Sequence, residues 1–112
     1  MTIGSISAIV VAILHYVFGL AESVGWAKMS KGFGYSKEQT KTTASLALNQ
    51  GAYNAGFATL LLWAVFTANT ATVIALLIFI VAMAVVGGVS VKPTIFAVQG
   101  VPALIALGLN LM

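Results

Sequence analysis

Polar residues in this chain gather in short clusters, and the stretches between them are apolar over lengths that suit a helix crossing a bilayer. No Asp, Glu, Lys, Arg or His occurs in residues 42–91. Fifty such residues are too many for one crossing, because the hydrocarbon core takes about 20 helical residues. The patch Thr67-Ala68-Asn69-Thr70 is the natural break, and Asn69 or Thr70 is suited to cap the helix after it. The pattern therefore predicts four transmembrane helices near residues 3–25, 44–66, 72–89 and 94–111, an all-α four-helix bundle in one domain. The segments must be helices, because in lipid each backbone polar group needs a partner within its own span. Barrel strands would be about half as long and would alternate in polarity, which nothing here does. Pro93 suits the first turn of the fourth helix, where its missing N–H costs nothing. The first span is expected to stay in the membrane: no positive residue precedes it and more apolar sequence follows.

Charge sets the orientation. The connector over residues 27–43 holds Lys28, Lys31, Lys37 and Lys41, and the third connector holds Lys92. The amino terminus, the second connector and the carboxyl terminus carry no Lys or Arg. The positive-inside rule places both lysine connectors in the cytoplasm and both termini outside, as in a multi-pass protein of the inner membrane. Trp26, Phe33 and Tyr35 fit the interfacial belt on the cytoplasmic side. Ser36-Lys37-Glu38-Gln39 reads as a capping box that starts the second long helix in water.

Composition strengthens this reading and removes several chemistries. Of 112 residues, 61% are hydrophobic and 6% charged, against about a quarter charged in an ordinary soluble domain. There is no Cys, so disulfides, iron–sulfur clusters and thiol relays are excluded. His15, Glu22 and Glu38 are the only classical metal-ligand candidates, fewer than most sites need within one chain, so neither a metal nor a cofactor is expected. The net charge of +3 comes from lysines in connectors without interleaved aromatics, which argues against nucleic acid.

Polar groups inside the spans are costly and therefore informative. Seven stand out: His15, Glu22, Asn49, Gln50, Tyr53, Asn54 and Gln99. At about 1.5 Å of rise per residue, antiparallel spans bring all seven to one layer in the cytoplasmic half of the membrane. His15 and Glu22, seven residues apart, share a helix face. Asn49 and Tyr53 form one i,i+4 stripe, with Gln50 and Asn54 beside it. Ala47, Gly51 and Ala55 form a small stripe that lets helices approach closely. Pro102 removes a backbone donor and frees the carbonyl of Val98 next to Gln99. Each residue also has a structural explanation. Amides on facing spans serve as hydrogen-bond glue, Glu22 lies near enough to pair with Lys28 or Lys31, and His15 can donate to a neighbouring amide.

His15, Glu22, Trp26, Gly32-Phe33-Gly34, Asn49-Gln50-Gly51-Ala52-Tyr53-Asn54 and Val98-Gln99-Gly100-Val101-Pro102-Ala103 occur in one order over nearly the whole chain. In this the sequence resembles the small bacterial four-helix membrane proteins of the domain of unknown function 1304 family. The family tends to have Arg in the first connector, where only Lys occurs here, and a Tyr near Val86. The resemblance implies fold and location, and leaves the chemistry to be argued from the residues.

Three functions follow from the polar layer. The first is a small homo-oligomeric transporter or channel for an ion or small molecule, with His15 and Glu22 handling a proton or cation between copies. The second is a binding protein or enzyme for a lipid-soluble molecule such as a quinone or isoprenoid lipid. There His15 and Glu22 would be the acid–base pair, and Trp26, Phe57 and Pro102 pocket walls. The third is an accessory or scaffold subunit docked through its lysine connector.

Overall fold

The computed structural model describes all residues from Met1 to Met112 and is helical throughout. In chain order the elements are α1 (Ile3–Ser23), α2 (Trp26–Gly32), α3 (Lys37–Phe66), α4 (Thr70–Ser90), a π-helical turn (Phe96–Gly100) and α5 (Val101–Leu111). The expected capping box starts α3: the Ser36 N–H donates to Gln39 Oε1 at 2.8 Å, and the Gln39 N–H to Ser36 Oγ at 3.1 Å. Asn69 caps α4, its Oδ1 accepting from the Thr72 N–H at 3.1 Å. The structure adds α2, a seven-residue helix inside what the sequence presents as a connector. The fourth apolar segment is divided by the π-turn immediately before Pro102. A proline inside a helix clashes with the carbonyl four residues back, and a wider turn relieves that clash.

Residue contacts divide the chain into two units that share the long helices, one comprising 1–12 with 59–112 and the other 13–58. In the first, α4 buries Val73, Leu77, Ile80, Ala84 and Gly88, a stripe at helical spacing. Leu61 and Ala64 of α3 and Ala103 and Ala106 of α5 are buried as well. The Phe96 ring lies flat against Gly88, where a Cβ would meet its carbons at 2.5 Å. At the far end, Asn110 Nδ2 donates to Gly4 O at 3.0 Å and to Ala106 O at 2.8 Å, so the last turn of α5 lies beside the first turn of α1. Large aliphatic side chains such as Ile6, Val10, Ile78, Val85 and Ile105 point outward from this unit.

The second unit is built on a backbone-to-backbone crossing. A Cβ on Gly19 would lie 2.8 Å from Gly51 O, and one on Gly51 would lie 2.7 Å from Gly19 O. Only glycine at both positions lets α1 and α3 come this close. The α2 segment folds onto the start of α3 through two side-chain bonds. Trp26 Nε1 donates to Thr43 Oγ1 at 3.0 Å, and the hydroxyls of Ser30 and Thr40 lie 2.7 Å apart. Ser30 is fully buried.

A candidate site at the glycine crossing

Glu22 sits one turn beyond Gly19 on α1, and the close crossing holds it against α3. There Asn54 Nδ2 donates to Glu22 Oε1. The glycine contact makes this bond possible, since a Cβ on Gly51 would come within 3.4 Å of Glu22 Cβ. Both side chains are half-buried. His15, two turns earlier on α1, is 3% exposed and meets the Phe18 ring edge-on at 5.2 Å between centroids. No fully buried side-chain nitrogen or oxygen lacks a hydrogen-bond partner.

The helical wheel of α3 explains which of the expected polar residues join Glu22. With Gly51 fixed against α1, Asn54 falls about 60° from the contact line at about 100° per residue. Gln50 falls about 100° away, and Asn49 and Tyr53 about 160° away, on the opposite face. Accordingly Asn49, Gln50 and Tyr53 are exposed, Tyr53 to 68%. Of the four polar residues of this block, the structure brings only Asn54 to Glu22. The two adjacent stripes expected from the spacing thus divide: Asn54 turns to Glu22, while Asn49, Gln50 and Tyr53 turn outward. Gln99 is half-buried within the π-turn.

Of the expected pocket walls Trp26, Phe57 and Pro102, Trp26 packs with two other aromatic residues. Trp26, Phe33 and Tyr35 form a triad with centroids 6.0–6.1 Å apart, which packs α2 and the loop after it. Phe57 is half-buried. Pro102 lines a shallow groove of about 270 Å³ with Ser7, Val10, Val11, Val101 and Ile105. None of the seven polar residues lines that groove.

Sequence reasoning did not single out Thr40, Thr43 and Ser30, which tie α2 to α3, or Asn110, which ties α5 to α1. Two signals were available. Thr40 and Thr43 share a face at i,i+3 spacing, and Asn110 is an amide within an apolar segment.

The arrangement offers one carboxyl group on an amide donor, with a buried imidazole two turns away on the same helix face. Together they can hold or pass a proton, or offer oxygens to a small cation. A family model described as Protein of unknown function (DUF1304) matches residues 9–111. No curated protein and no solved structure matches the chain.

Proposed function

The chain belongs to the Protein of unknown function (DUF1304) family, and on that premise we propose that it is a multi-pass inner-membrane protein that moves a proton or small cation. Membrane insertion is supported by α1 and α4, each 21 residues and apolar enough to cross a bilayer, and by a shorter apolar helical stretch at Phe96–Leu111. It is supported too by the outward-pointing aliphatic side chains, which water would not favour in such density. In this reading α3 crosses as well, with its lysine-bearing first turns in the cytoplasm. The hydrogen bond from Asn110 to Gly4 holds the start of α1 beside the end of α5, which is compatible with an even number of crossings.

The observation that carries the transport reading is the Glu22–Asn54 pair. Glu22 lies in the last turn of α1, half-buried against α3, and an ionisable group held within a spanning helix usually lines a pathway. Glu22 is the proton- or cation-binding group, Asn54 orients its carboxylate, and His15 is the next acceptor along α1.

The test is proton flux into liposomes loaded with a pH-sensitive dye. The wild-type protein should collapse an imposed gradient faster than protein-free vesicles. Glu22→Gln, which keeps a hydrogen-bond acceptor for Asn54, should return the rate to that of empty vesicles. Wild-type vesicles no leakier than empty ones, or Glu22→Gln vesicles as leaky as wild type, would leave the pair a structural tie.

A further inference from the structure

The face of α3 turned away from Gly51 carries polar groups that nothing in the chain satisfies. Asn49, Gln50 and Tyr53 are exposed, and their side chains make no hydrogen bond within the protein. If α3 crosses the membrane, these two amides and a phenol lie against hydrocarbon unless another protein surface covers them, and an unsatisfied polar group there is costly. Between the large exposed Leu46 and Leu60, this face also carries a run of small residues. Ser45, Asn49, Ala52 and Gly56 are all exposed, and they recur at intervals of four, three and four. That is the seam spacing of two helices packed side by side, with Asn49 at the position where a buried Asn sets register. A Cβ on Gly56 would meet nothing within 4 Å, so this side of α3 is open to close approach.

We propose that this face of α3 is where a second copy of the chain docks, α3 running parallel to its counterpart. Two copies inserted with the same orientation are related by an axis along the membrane normal, which lays Asn49 opposite Asn49. An amide carries both donor and acceptor, so it is complementary to itself across such an axis, whereas a carboxylate or ammonium would repel its copy. Ala52 and Gly56 keep the two backbones close enough for these short side chains to meet. The proposal rests on the membrane placement of α3 given above and is independent of whether a proton moves.

The experiment is the mass of the full-length protein in lipid nanodiscs and in mild detergent, together with cross-linking of single-cysteine variants, which the cysteine-free sequence makes unambiguous. The wild type should be a dimer. Asn49→Cys and Ala52→Cys should form intermolecular disulfides under mild oxidant, and cysteines at the outward Ile78 or Val85 should not. The triple change Asn49→Leu, Gln50→Leu, Tyr53→Phe should weaken dimerisation about tenfold or more. Gly56→Leu, placed in open space within the monomer, should do the same with helix content unchanged by circular dichroism. A monomeric wild type, a triple variant as dimeric as wild type, or equal cross-linking at positions 49 and 78 would overturn the proposal. Dimers without flux would remove the transport reading and leave this interface standing, and flux from monomers would do the reverse.

Discussion

Gly34 and Ala68 meet the same backbone demand with different residues. Each ends a helix in the left-handed region, at φ of 76° and 55° respectively. In both cases the next residue's N–H reaches back five positions, Tyr35 to Ser30 O at 3.1 Å and Asn69 to Ala64 O at 2.9 Å. Glycine takes this conformation freely, whereas a Cβ crowds the following carbonyl. Ala68→Gly should therefore stabilise the protein by about 1 kcal/mol and Gly34→Ala should cost about as much, read as opposite shifts in thermal midpoint in detergent. At Glu22 the important partner is Asn54. Asn54→Leu leaves a half-buried carboxyl group without its side-chain donor and should cost about 1–3 kcal/mol. Glu22→Gln keeps an acceptor and should cost less in the same melt. Equal losses from the two changes would mean that the bond contributes little.

Along α3, two glycines five residues apart should respond to alanine with opposite signs. Gly51→Ala drives a Cβ into the backbone of α1 at 2.7 Å, and the helices must part, which overpacking data put at about 1–3 kcal/mol. Gly56→Ala meets open space and gains helix propensity, about 0.5–1 kcal/mol of stabilisation of the protomer. Thermal melts of the two variants in detergent, at dilutions where the protein is monomeric, check both signs. Element identity was largely legible in the sequence, because capping is local: Ser36 with Gln39, and Asn69 with Thr72, need no tertiary information. The short α2 was not, since its seven residues are too few to show a hydrophobic period. Nor was the π-turn, although Pro102 had marked the carbonyls that would be disturbed. The facing of the polar block needed one further step. Depth alone groups Asn49, Gln50, Tyr53 and Asn54, and only the choice of Gly51 as the contact residue selects Asn54 from among them.

At the scale of the whole molecule, the account depends on α3 crossing the bilayer. This helix is hard to assign from hydropathy, because it opens with Lys37, Glu38, Gln39 and Lys41 and carries four polar residues in its middle turns. At about 1.5 Å per residue its 30 residues run about 45 Å, enough for the hydrocarbon core with a cytoplasmic extension. Without that crossing, the exposed amides would simply face water, and neither the pathway nor the paired helices would follow. The lysines fix what to look for, since Lys37 begins α3 and Asn69 follows its end. The most direct measurement is labelling of Lys37→Cys and Asn69→Cys in spheroplasts with a maleimide that cannot cross membranes. The account predicts that position 69 reacts from outside and that position 37 reacts only after the membrane is opened. Reaction of both positions from the same side would mean that α3 does not cross.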